Sequence, residues 1–233
     1  MILHLSESRG YANHGWLKSY HTFSFADYYN PQRMHFGALR VINDDFIEAG
    51  MGFGRHPHSN MEIVTIPLMG ALAHDDSTGN SRIIQKGEVQ IMSAGTGITH
   101  SEFNVSNTDP VTLLQIWVMP KKMNILPRYE QKSFNLADRK NNLQLVVAPD
   151  GRDGALTINQ DAFFTLADLD AGKFIKYEQK IKASGVYLFI ISGEVEINDT
   201  KLNKRDGLAL TEFASVNIKA KTNAEILLME VPM

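Results

Sequence analysis

Three observations predict an all-β fold made of two barrels packed together. Short segments rich in β-branched and aromatic residues recur along the chain, divided by Gly, Asn and Asp. No amphipathic helical pattern of useful length interrupts them; NPQRM (30–34) predicts a helical turn and nothing longer. The two halves also echo one another. EIVTIPLMGALAHDD followed by KGEVQIM reads strand, glycine, strand, strand, and YLFIISGEVEIND followed by RDGLALTE repeats it. That is the signature of a duplicated barrel unit.

In chain order the first half predicts strands at FGALRVI (36–42), MEIVTIPL (61–68), SRIIQ (81–85), EVQIM (88–92) and VTLLQIWVM (111–119). The polar stretch 121–142 carries Pro127 and predicts a linker, which divides the chain into an N-terminal barrel over 1–130 and a C-terminal barrel over 131–233. Strands follow at LQLVVA (143–148), ALTI (155–158), GVYLFIIS (185–192), EVEIN (194–198) and EILLMEV (225–231). EVEINDTKLNKRDG (194–207) reads as a solvated hairpin.

Composition narrows the function. Of 233 residues, 43% are apolar and 21% charged, enough for a sizeable core, and the net charge of −3 favours no polyanion. No Lys/Arg-rich run marks a nucleic-acid face. There is no cysteine, which excludes disulfides, thiolate nucleophiles, Cys-ligated zinc and iron–sulfur clusters. The N-terminus lacks a basic start with an apolar core, and no apolar run reaches the ~20 residues of a membrane helix. A cytoplasmic location, without membrane or nucleic-acid partners, is expected.

All eight histidines (4, 14, 21, 35, 56, 58, 74 and 100) lie in the first half. A histidine-built metal site therefore belongs to the first barrel, and the second is expected to carry no ligands. In GMGFGRHPHSNMEIVTI, His56 and His58 stand at i and i+2 and share a face if they lie on a strand. In SAGTGITHSEFN, His100 and Glu102 do the same, delivered by a tight turn at Gly95 and Gly97. Either pair alone reads as hydrogen-bonded polar residues. Together, on neighbouring strands of a small barrel, they bring three imidazoles and one carboxylate to a single point, a donor set suited to Fe, Mn, Ni, Cu or Zn. Glu62, four residues after His58, is expected to point inward as a further ligand, a catalytic base or a partner for a histidine. His74 reads as a hairpin-loop residue beside Asp75 and Asp76, and His21 and His35 read as hydrogen-bonded structural residues. His4 and His14 carry no signal.

The spacing Gly50-x5-His56-Pro57-His58-x3-Glu62-x7-Gly70 resembles the first cupin motif with one extra residue, and Gly97-x2-His100-x3-Asn104 resembles the end of the second. Within cupins, YHTFSFADYYNP (20–31), FGALRVIND (36–44), HPHSNMEIVT (56–65) and VQIMSAGTGITHSEFN (89–104) resemble the pirin family, and PDGRDGALTI (149–158) is similar to its shorter bacterial members. The resemblance implies two stacked cupin jelly-roll barrels. It implies one divalent cation, iron(II) before Mn, Ni, Cu, Co or Zn, on His56, His58, His100 and Glu102, with Glu62 left off the metal. Ser59, Asn60 and Met61 replace the family's usual Arg-Gly-Phe, a change that bears on substrate preference. Several bacterial pirins resemble flavonol 2,3-dioxygenases, which implies cleavage of quercetin with dioxygen and release of carbon monoxide. Glu62 or Glu102 would then take the substrate's proton, and Phe53, Met61, Phe103 and Trp117 would form the apolar mouth. The competing implication is a redox-sensing iron protein that regulates a protein partner.

Overall fold

The alternation of side chains along Val111–Val118 shows how this protein uses its strands. Leu114, Ile116 and Val118 point one way, into a cluster of 27 buried apolar residues drawn from both halves of the chain. Leu113, Gln115 and Trp117 point the other way, into the first barrel. The computed structural model describes residues 1–233. Its elements are 22 strands and three short 3-10 turns, with no α-helix.

Each barrel pairs a seven-stranded sheet with a four-stranded one. The large sheet of the first runs Arg128–Ser133, Glu88–Ser93, Glu62–Met69, Val111–Val118, Leu39–Ile47, Leu17–His21, Gly10–Asn13; the small sheet runs Gly52–His58, Ile98–Asn104, Ala71–Asp76, Ser81–Gln85. In the second barrel the large sheet runs Ile2–His4, Gly207–Leu210, Ser184–Ser192, Ala224–Pro232, Phe163–Leu169, Gln144–Ala148, Leu156–Thr157. Its small sheet runs Phe174–Glu178, Ser215–Ala220, Val195–Ile197, Thr200–Leu202. The duplication expected from the sequence is thus present in strand order. Gly70 and Gly193, the glycines of the echoed segments, both turn with positive φ (76° and 78°).

The faces of the two large sheets turned toward one another make the shared core, with Phe164, Tyr187 and Phe189 from the second half against Phe23, Phe36 and Leu39 from the first. Apolar surface buried there, at about 25 cal/mol per Å², holds the two barrels together. Two edges depart from the sequence reading. The stretch 121–142 is not wholly linker: Arg128–Ser133 pairs antiparallel with Glu88–Ser93 at the edge of the first large sheet. The equivalent edge of the second barrel is taken by Ile2–His4, paired with Gly207–Leu210. NPQRM forms a hydrogen-bonded turn, with the Arg33 amide donating to the Asn30 carbonyl at 2.9 Å.

Candidate metal centre

The strand Ile98–Asn104 organises the site. On one side it pairs with Gly52–His58, setting His100 opposite His56; on the other it pairs with Ala71–Asp76, setting Glu102 opposite His74. The turn before it is built as expected, with Gly95 and Gly97 at φ of 48° and 141°. A register shift between His100 and Glu102 leaves one extra residue in Gly52–His58. The bulge has two results. Phe53 comes onto the same wall as His56 despite the odd spacing. The Gly54 carbonyl accepts a hydrogen bond from His56 Nδ1 at 2.8 Å, which leaves Nε2 as the free ligand atom. The two strands lie so close that a Cβ on Gly52 would fall 2.2 Å from the Glu102 carbonyl oxygen.

The rings of His56, His58 and His100 are separated, centroid to centroid, by 4.8 Å (56–58), 4.5 Å (56–100) and 4.9 Å (58–100). Their ligand atoms lie within 4.8 Å of one another, and those of His74, His100 and Glu102 form a second such group sharing His100. His56 and His58 are half-buried at the mouth; His100 and Glu102 are buried beneath them. His100 Nε2 and Glu102 Oε1 are buried without any hydrogen-bond partner. Buried polar atoms are nearly always satisfied, so two orphans in one histidine cluster fit a bound cation. Burial, helped by the neighbouring imidazoles, lowers His58 to about 4 and His100 to about 3, keeping both neutral as ligands should be. Burial also pushes Glu102 up to about 7, against a hydrogen bond from Gln115 Nε2 to its Oε2 at 2.8 Å. A cation would reverse that shift.

His74 is the main correction. It lies on a strand rather than in a loop, is 1% exposed, and its ring lies 5.2 Å from that of His100, tilted by 51°. Its Nε2 sits 3.0 Å from Asp76 Oδ2. Although burial opposes it, hydrogen bonds from Thr78, His74 and Asn80 hold Asp76 down at about 2. An ionised Asp76 fixes the tautomer: His74 donates from Nε2, and its Nδ1 faces His100 Nδ1 at 3.5 Å as an acceptor. His100 is then protonated on Nδ1, with Nε2 bare.

A cavity of about 280 Å³ opens on His56, His58 and Glu102. Phe53 and Trp117 line it, as expected, and Trp117 meets His58 edge-on at 5.0 Å. Met61 and Phe103 do not. Met61 packs on Ile63, Met92, Ala94 and Ile98. Phe103 falls between the inward positions 102 and 104 and is 42% exposed. Glu62 also departs from expectation. The chain leaves the strand at 59–61, with Asn60 at φ 50°, so the alternation restarts out of phase. Glu62 then faces the second barrel, accepting from Ser93 Oγ at 2.7 Å and from the Asn159 amide at 3.0 Å. Burial raises its pKa, against those bonds. It stands as a strut between the barrels rather than a base in the cavity. His21 is hydrogen-bonded to Asn43 as expected (2.8 Å), and with Ser19, Asn43, Asp45 and Gln115 it supplies a polar wall that the sequence did not flag.

The pirin family profile matches residues 3–118, and a profile described as "Quercetinase C-terminal cupin domain" matches 145–231. A protein named quercetin 2,3-dioxygenase from Escherichia coli K12 is 48% identical over 236 residues, spanning 100% of this chain and 99% of its own. The chain belongs to the pirin family. Among solved pirins it is similar to YhhW from Escherichia coli, with 47% identity, TM-score 0.95 and coverage of 99% of this chain and 97% of that one. The same protein solved as "bacterial pirin YhhW in complex with nickel(II)" matches at 46% identity and TM-score 0.94, covering 99% and 98%. A protein named pirin-like from Caulobacter vibrioides is 42% identical over 95% of each chain. The histidine and glutamate cluster of this pirin, together with the nickel(II) complex of that relative, supports a site for one divalent metal.

Proposed function

We propose that this pirin is an iron(II)-dependent dioxygenase that cleaves a flavonol such as quercetin with dioxygen and releases carbon monoxide. One observation carries the reading: three clustered imidazoles and a buried carboxylate, with orphaned atoms on His100 and Glu102, meet beside an aromatic-walled cavity. The names of the close relatives support the substrate class. His56, His58, His100 and Glu102 would hold the metal. When bound, the cation supplies Lewis acidity toward a hydroxyl group and an electron path to dioxygen.

The remaining residues do the positioning. Trp117 donates from Nε1 to Gln115 Oε1 at 3.4 Å, and Gln115 in turn holds Glu102 Oε2, so only Oε1 is left for the cation. Phe25 meets Trp117 edge-on at 5.3 Å, and Trp16 meets Phe53 at 5.2 Å, which fixes two flat apolar walls for a planar substrate and keeps water out. A cytoplasmic location is part of the same proposal; no helix of the chain is long and apolar enough to cross a membrane.

The test is oxygen uptake and carbon monoxide release by iron-loaded protein given quercetin. His58→Ala is expected to remove the metal and lower the rate by at least about 10³-fold. Stoichiometric metal with no oxygen uptake in the unaltered protein would instead favour the regulatory, redox-sensing role.

A further inference from the structure

We propose that Asp45 accepts a hydroxyl proton from the phenolic substrate in the cavity, an assignment that rests on the flavonol reading above. Two aspartates stand side by side on Leu39–Ile47 and face opposite ways. Asp44 is paired twice, with Arg9 Nη1 at 3.1 Å and Arg205 Nε at 2.9 Å. Asp45 is 4% exposed, has no cationic partner, and lines the same cavity as His56, His58 and Glu102. Its Oδ1 accepts from the Ser19 hydroxyl, and Oδ2 takes no hydrogen bond from the chain. A carboxylate buried without a counter-charge is costly, and a donor from a ligand relieves it.

The other carboxylates near the cavity are already committed: Glu62 is turned to Ser93 and Asn159, and Glu102 is held by Gln115 with its free oxygen in the ligand cluster. Of the lining histidines outside that cluster, His21 donates from Nδ1 to Asn43 and burial lowers its pKa, which makes its Nε2 a weaker base, and His14 is exposed. Burial raises Asp45 to about 7 against the Ser19 hydrogen bond, with Asp44 and Glu102 adding to the rise. A base of that strength is matched to neutral pH. In the step, the substrate O–H bond breaks, a new O–H bond forms at Asp45, and the electron pair stays on the substrate oxygen.

The experiment compares unaltered protein with Asp45→Asn, Asp45→Glu and Ser19→Ala. With iron loaded, Asp45→Asn is expected to keep full metal content and lose about 10²- to 10⁴-fold in kcat, Asp45→Glu to recover part of it, and Ser19→Ala to lose about tenfold. An independent readout uses nickel-loaded protein under nitrogen: bound quercetin should show its anionic absorption band in the unaltered protein and its neutral band in Asp45→Asn. Should Asp45→Asn turn quercetin over at the normal rate with the anionic band intact, Asp45 is structural and the flavonol reading survives. Should Asp45→Asn fail to fold, an unchanged kcat in Ser19→Ala overturns the assignment. Unaltered protein that neither binds nor consumes quercetin overturns the flavonol reading and this assignment together.

Discussion

In the second barrel, Phe174–Glu178 and Ser215–Ala220 occupy the places that Gly52–His58 and Ile98–Asn104 hold in the first. There Tyr177 is set opposite Val216, where the first barrel sets His56 opposite His100. The second barrel's interior is one cluster of 17 buried apolar residues. The first barrel's is split into clusters of five and four, with His74, His100, Glu102, Gln90, Asn43 and Asp45 buried between. The same strand order thus supports a filled core in one copy and a polar hollow in the other. Stability is concentrated in the second barrel and the shared seam, and chemistry in the first, where orphaned polar atoms are tolerated because the rest of the body is well packed.

Cavity-forming substitutions separate the two regions most strongly. Phe189→Ala, in the shared core, is expected to cost about 3–5 kcal/mol in urea unfolding, whereas Phe53→Ala on the cavity wall should cost about 1 kcal/mol and instead raise KM for quercetin. Equal losses would deny the division.

Buried glutamates give the next contrast. Glu230 is fully satisfied by Tyr177, Lys180, Ile181 and Ser184, while Glu102 keeps a bare oxygen. Glu230→Gln should cost about 2–3 kcal/mol by turning an amide N–H₂ toward donors. Glu102→Gln should leave metal-free stability unchanged and weaken metal binding, both readable by calorimetry.

His74→Leu tests the hydrogen-bonded pair behind His100. Metal affinity should fall about 10- to 100-fold with the fold intact; unchanged affinity would mean that His74 only fills space.

The last contrast is in pH. Asp45 titrates near 7 in the folded state against 3.8 ordinarily, so folding favours its protonated form. The resulting stabilisation is complete below about pH 3.8 and is lost as pH rises to about 7. Metal-free Asp45→Asn should therefore gain on the unaltered protein between pH 4 and pH 8, by about 2–4 °C in Tm per kcal/mol. A difference independent of pH would mean that Asp45 is not buried as described.

Strict alternation made the pairs His56/His58 and His100/Glu102 legible, because each lies within one strand and the spacing survives intact. The same reasoning failed at Glu62, where the break at 59–61 resets the phase, and at Phe103, which stands one residue beyond Glu102 on the outer face. His74 was hidden because ALAHDD resembles the start of a polar loop, and only the pairing with Ile98–Asn104 draws it inward. Asp45 and Gln115 sit on strands whose register depends on distant partners, which no local pattern encodes.

The most direct measurement is anomalous diffraction at the absorption edge of the metal in a loaded crystal. One peak is expected per chain, within bonding distance of His56, His58, His100 and Glu102, with none inside the second barrel. No density at that cluster, or an equal peak among the apolar residues around Tyr177, would contradict the whole account.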